Sequence, residues 1–180
     1  LTKEPWEEHP DVWPTKAKFF AWLRGCFRRA IWNLSPCKIK FKNAHCSPPP
    51  EGYKGKAKSG ANCALTGEWE GKSKLEVDHI QGECSLRDWD DVATFVRHLC
   101  PPNDNLQLVT KEAHKIKTLA ERKGISFEAA LLEKRVIAFA KLPAAQQIKV
   151  LQESDKCGKM AATNAKSRVA LYRQIIEAGK

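Results

Sequence analysis

Apolar residues recur at helical spacing through TKAKFFAWLRGCFRRAIWNL, residues 15–34: Phe19, Leu23, Cys26 or Phe27, Ala30 or Ile31, and Leu34. Pro14 and Thr15 suit a helix start, so an amphipathic helix is expected there. Residues 35–62 lose this periodicity. Their SPPP and EGYKGKAKSG runs are rich in Pro, Gly, Lys and Ser and read as a loop, a flexible basic arm or linker. In CALTGEWEGKSKLEVDHI, residues 63–80, two short strands are expected, with Gly-Lys-Ser as the turn. A helix is expected over 85–100, capped by Ser85, with a stripe of Leu86, Trp89, Val92 or Ala93, Val96 and Leu99. Pro101 and Pro102 stop it. After NDNLQLVTK comes a helix from about Glu112 to Lys123, ended by Gly124. A further helix is expected over 126–142, and two shorter ones around AAQQIKVLQES and NAKSRVALYRQIIEA. The pattern is that of an α+β chain, mainly helical, without internal repeats.

A length of 180 residues fits one domain, or one domain with extensions. Hydrophobic content of 42% and charged content of 29% lie in the globular range. No apolar run approaches the roughly 20 residues needed to span a bilayer. The opening LTKEPWEEHPDVWP is acidic and Pro-rich, and does not read as a signal peptide. The cysteines (Cys26, Cys37, Cys46, Cys63, Cys84, Cys100 and Cys157) are odd in number and widely spaced. They read as reduced thiols, which points to a cytoplasmic setting. No C-x-x-C pair occurs, so a standard zinc finger is not expected.

The net charge of +10 is concentrated. Residues 14–60 carry Lys16, Lys18, Arg24, Arg28, Arg29, Lys38, Lys40, Lys42, Lys54, Lys56 and Lys58 against Glu51 alone, which accounts for the whole excess. Such a segment points to a polyanion, most often nucleic acid. The lysine-rich stretch is also what an ordinary solubilising linker looks like.

The candidate chemistry lies in LEVDHI, where Asp78 and His79 end an apolar run. An acid beside an imidazole is, alone, a turn as readily as a site. Downstream come Asn105 in NLQLV and His114 in HKIKT. In this order, VDHI, NLQLV and HKIKT resemble the signature of the HNH, or ββα-metal, endonucleases. SLRDWDDVATFVRHLC followed by NLQLVTKEAHKIKT looks like the HNH proteins encoded by tailed phages, as does TKAKFFAWLRGCFRRA. The resemblance is concentrated in residues 63–122, and NAKSRVALYR shares it more weakly.

The resemblance implies a central ββα-metal unit flanked by N- and C-terminal helices. Residues 1–60 would form a basic helix and arm on the DNA backbone, 61–124 the nuclease core and 125–180 a helical extension. It makes His79 the general base for water, an activity that suits imidazole. Asp78 and His114 become the metal ligands, and Asn105 bonds across the loop to hold the base. Lys115 and Lys117 flank the metal and are candidates for phosphate contact, beside Lys16, Arg24, Arg28, Arg29, Lys54, Lys56 and Lys58. So few ligands leave room for water and phosphate oxygens, which suits Mg²⁺ or Mn²⁺ better than Zn²⁺.

The sequence also departs from the family. Relatives often hold a structural zinc on two C-x-x-C pairs, which here read Cys63-Ala-Leu-Thr66 and Thr110-Lys-Glu-Ala113. No zinc is expected there, with packing taking over its role. A different zinc site on Cys37, His45, Cys46 and Cys63 is an alternative, although their spacing fits no standard knuckle. The Pro that follows DHI in relatives is replaced by Gln81-Gly82. His9 and His98 carry no supporting pattern, and His98 reads as packing or surface.

The expected activity is hydrolysis of DNA to 5′-phosphate and 3′-hydroxyl ends, with low or modest sequence specificity. The alternatives are a degenerate HNH fold that binds DNA without cutting, and an accessory factor working with a phage packaging partner. The setting would be the host cytoplasm if the chain is phage-encoded.

Overall fold

A computed structural model describes residues 3–82, 84–154 and 164–179. The fold is α+β and mainly helical, with two small antiparallel sheets. Among the described residues no helix is long and apolar enough to cross a membrane. Two compact units divide the chain, one running to Ala113 and the other from His114 onward. Cys157 lies outside the described residues.

The first unit opens with a short helix α1 (Pro5–Glu8) and α2 (Lys16–Phe27), whose first turn is capped by the Thr15 side chain. A π-helical turn, Arg28–Trp32, continues α2. The core here is aromatic: Phe19 and Phe20 of α2 pack with Leu86, Phe95 and Leu99, under Trp6, Trp13, Leu23 and Phe27. Burying a side chain such as Phe20 or Phe95 contributes about 1.5–3 kcal/mol. Leu34 does not join the apolar stripe and is 70% exposed, because the helix has ended before it.

The segment expected to be loop contains a helix, α3 (Pro36–Ala44). Ser35 caps it and Pro36 occupies its first turn, the start signals that the lysine-rich composition masks. Phe41 is buried, and Lys42 Nζ donates to the Leu75 carbonyl at 2.6 Å. The arm after α3 is not a free linker either. Ser47 and Gly60 exchange backbone hydrogen bonds of 2.8 and 2.9 Å, closing the loop between them. Tyr53 packs edge-on against Trp69, with ring centroids 4.6 Å apart.

Strand β1 (Gly60–Asn62) pairs with β2 (Trp69–Gly71), and Gly60 faces Gly71 in the register. A Cβ at Gly60 would lie 2.0 Å from the Glu70 carbonyl oxygen, so the close approach requires glycine. A single 3₁₀ turn, Lys72–Lys74, leads into β3 (Leu75–His79). Two strands are therefore present over 63–80, but they do not form a hairpin with each other. The partner of β3 is β4 (Leu106–Thr110), within a stretch to which the sequence pattern assigns no element. Its pairing spans a long sequence separation, which local periodicity does not report.

Between β3 and β4 lie a 3₁₀ turn, Trp89–Asp91, and α4 (Val92–His98). The cap is Asp88, which forms a reciprocal capping box with Asp91, rather than Ser85. Leu86 instead drops into the aromatic core. A 3₁₀ turn, Asn103–Asn105, precedes β4, and α5 (Lys111–Lys123) follows β4 directly. Thr110 caps that helix, its Oγ1 accepting from the Ala113 amide at 3.1 Å.

The second unit contains the rest of α5, then α6 (Phe127–Ala140), α7 (Ala144–Glu153) and α8 (Ala165–Ala178). Gly124 ends α5 at φ 62°. Ile116, Leu119 and Ala120 pack with Ala130, and Phe139 stacks on Tyr172 at 4.1 Å. Buried Gln147 donates to the carbonyls of Phe139, Ala140 and Leu142, satisfying the open end of α6, and accepts from Arg168 Nε at 2.7 Å.

Candidate active site

The β3–β4 hairpin positions the candidate residues. Successive side chains on a strand point to opposite faces, so Asp78 and His79 diverge although they are adjacent. Leu75, Val77 and His79 share one face with Leu106 and Leu108, their cross-strand neighbours. Apart from His79, these residues form an apolar cluster with Phe41 and Ala61. Asp78 shares the other face with Gln107, directly opposite, whose Nε2 donates to Asp78 Oδ2 at 3.0 Å. Both Asp78 and His79 are 8% exposed.

The His79 imidazole is held on three sides. Trp32, from the π turn, stacks on it at 4.2 Å and 28°. His98, the last residue of α4, stacks at 4.7 Å and 13°. Two rings this close and this parallel occupy opposite faces of the imidazole, since on one face they would overlap. His79 Nε2 also donates to the His98 carbonyl at 2.9 Å. A carbonyl oxygen only accepts, so Nε2 carries a proton.

Asn105 bonds across the loop that follows His79. Its Oδ1 accepts from the Gln81 amide at 2.8 Å and its Nδ2 donates to the Gln81 carbonyl at 3.3 Å. The Ile80 amide donates to the Asn105 carbonyl at 2.9 Å. The asparagine thus fixes backbone just past the imidazole, while the direct partner of the ring is the His98 carbonyl. His98 and Trp32 are the residues that sequence reasoning missed. A histidine before Pro-Pro and a tryptophan in an aromatic-rich helix carry no signal of their own. The packing read for His98 is found against His79, which its ring and its carbonyl both contact.

His114 belongs to the second unit, in α5. It is half-buried, and its carbonyl accepts from Thr118 Oγ1 at 2.9 Å. Among the described residues no group of three or more His, Cys, Asp or Glu side chains converges as a metal site.

Cys63 is a hydrogen-bonded thiol. Cys63 is 1% exposed, and its Sγ accepts from the Thr110 amide at 3.4 Å. Burial pushes the thiol pKa up, but hydrogen bonds from Thr66, Thr110 and Leu65 together outweigh it and the net direction is down. The Cys63–Gly67 turn is closed by Gly67 donating to the Cys63 carbonyl at 2.8 Å.

The basic candidates separate by what they touch. Lys16 is ion-paired with Asp88, which raises its pKa and lowers that of the aspartate. Arg24 is half-buried, whereas Arg28, Arg29, Lys54, Lys56, Lys58 and Lys115 are exposed. Lys117 pairs with Glu121 at 3.5 Å. Lys38 lies 4.5 Å from the Trp32 ring centroid, and its burial lowers its pKa. No family model, no curated protein and no solved structure matches the chain.

Proposed function

We propose that the chain is a metal-dependent DNA endonuclease of the HNH type. The observation that carries this reading is the order of parts. Strand β3 ends in Asp78-His79, Asn105 clamps the loop behind them, β4 pairs back along β3, and α5 with His114 follows without a break. In this reading His79 is the general base. Its Nε2 proton is held by the His98 carbonyl, which orients the imidazole that would take a proton from the attacking water. The stack with Trp32 and His98 limits rotation of the ring, which keeps the basic atom oriented.

Asp78 and His114 are the residues assigned to one Mg²⁺ or Mn²⁺. Gln107 holds the Asp78 carboxylate in one orientation, the usual task of a residue behind a metal ligand. The bound cation would polarise the scissile phosphate and stabilise the departing 3′ oxygen. Contact through the basic segment is mainly to phosphates, which favours low or modest sequence specificity.

A second reading is a DNA-binding module that does not cut, with or without a phage packaging partner. The low exposure of His79 favours it, because a general base must reach its water. Cleavage of plasmid DNA by the wild type, Asp78→Asn and His114→Ala in Mg²⁺, Mn²⁺ and EDTA separates the two. The nuclease reading requires cutting that EDTA abolishes and that both substitutions reduce. DNA binding without cutting in any metal supports the second reading.

A further inference from the structure

Helix α2 and the π turn after it contain no acidic residue between Lys16 and Trp32. Their basic side chains are not equivalent. Lys16 is held by Asp88, and Arg24 is half-buried. Lys18, Arg28 and Arg29 are exposed. At about 100° per residue Lys18 falls on the side of α2 away from Phe20, Leu23 and Phe27, which face the core, while Arg28 and Arg29 extend from the π turn that continues the helix.

Trp22 lies on this outward side, four residues after Lys18 and seven before Arg29, and is 47% exposed. It does not swing freely. Its ring contacts Trp13 at 5.0 Å and Phe19 at 5.8 Å between centroids. The neighbouring outward positions on the helix, Ala17, Ala21 and Gly25, are small, so the indole is covered by Trp13 and Phe19 and otherwise open. The Arg29 guanidinium reaches back along the helix to Cys26 Sγ at 3.4 Å. The result is one anchored aromatic ring with an exposed cation before it and two after it, on a helical segment without acids.

We infer that this face of α2 binds single-stranded DNA, with Lys18, Arg28 and Arg29 on successive backbone phosphates and Trp22 stacked on one unpaired base. Aromatic rings set in a cationic groove are how single strands are held without sequence readout. A duplex keeps its bases stacked internally and offers the indole nothing to stack on. An anionic membrane fits less well, because the apolar side of α2 is buried in the core and Trp22 is the one large apolar group on the outward side. This inference deepens the DNA-binding part of the proposed function, and it holds whether or not the β3–β4 residues cut.

The test is fluorescence anisotropy of a labelled oligo(dT) and of a mixed-sequence duplex of equal length. Full-length protein is titrated in EDTA, so that cleavage plays no part. The single strand should bind more tightly than the duplex. Three phosphate contacts give a slope of log K against log salt of about −2. Trp22→Ala should weaken single-strand binding by about tenfold or more at an unchanged slope, and Trp22→Phe should keep most of it. Arg28→Gln and Arg29→Gln should each make the slope shallower by about 0.7. Near-UV circular dichroism checks that each variant keeps its fold. Duplex binding equal to or tighter than single-strand binding, or no effect of Trp22→Ala, overturns the inference. So does Trp22-dependent binding to phosphatidylserine vesicles in preference to DNA.

Discussion

The imidazoles of His79 and His98 lie nearly parallel, 13° apart with centroids at 4.7 Å, and the carbonyl of His98 accepts the Nε2 proton of His79. One residue therefore fixes both the plane and the tautomer of the candidate base. Trp32 closes the opposite face at 4.2 Å. This arrangement ties β3 to α4 and to the π turn after α2, so helical segments packed on the β3–β4 pair set the geometry of the histidine that ends β3.

Trp32→Ala removes one wall of that stack. In the nuclease reading it should lower kcat for DNA cleavage by about 10- to 100-fold, as misplacement of a reacting group does, while leaving KM little changed. Trp32→Phe should recover much of the rate, because an aromatic face is restored. A rise in KM with kcat intact would mean that Trp32 acts in DNA binding instead.

Much of this site was not legible in the sequence, for reasons specific to each residue. Asp78, His79 and Asn105 stand out only through the order of VDHI, NLQLV and HKIKT along the chain and the resemblance that this order carries, since each alone reads as a turn. His98 and Trp32 acquire their roles only when α4 and the π turn pack on β3, and no spacing encodes that. Lys16 looked like the other cations of its helix until Asp88, 72 residues away, claimed it. Helix α3 was hidden by a lysine-rich composition that outweighed the Ser35-Pro36 start signal. The four C-terminal helices were readable because each has its own apolar periodicity. Cap or stop residues, Ser126, Asn164 and Gly124, reinforce the pattern.

Gly60→Ala should destabilise the first unit by about 1–3 kcal/mol, a typical cost of forcing extra atoms into a packed site. The added carbon would meet the Glu70 carbonyl oxygen, which belongs to β2 and cannot move aside without breaking the β1–β2 register. Gly67→Ala has open space around its Cβ but a φ of 74°, so strain rather than a clash sets its cost. Chemical denaturation of both variants distinguishes the two causes. Gly60→Ala should also loosen the lysine loop closed by the Ser47–Gly60 bridge, raising its proteolytic sensitivity, whereas Gly67→Ala should not.

In the second unit, Glu133 accepts from Lys123 and Arg173, each at 2.7 Å. The Lys123 hydrogen bond and then that of Arg173 hold its pKa below the ordinary value of 4.5. A carboxylate with a depressed folded-state pKa stabilises the fold above the unfolded pKa. That contribution is lost as the pH falls through the lower, folded value. Glu133→Gln should therefore be less stable than the wild type at neutral pH, and the difference should shrink as the pH drops below about 4.5. Thermal melts at pH 7, 4 and 3 measure this, and a gap that stays constant with pH would rule out the ionic origin.

The most direct test of the central claim is cleavage of supercoiled plasmid by the wild type and by His79→Ala, side by side in Mg²⁺ and in Mn²⁺. A general base contributes about 10²- to 10⁴-fold, so the variant should be nearly inactive while retaining salt-sensitive DNA binding. Equal cutting by the two proteins would contradict the assignment of His79 and of the chemistry built on it.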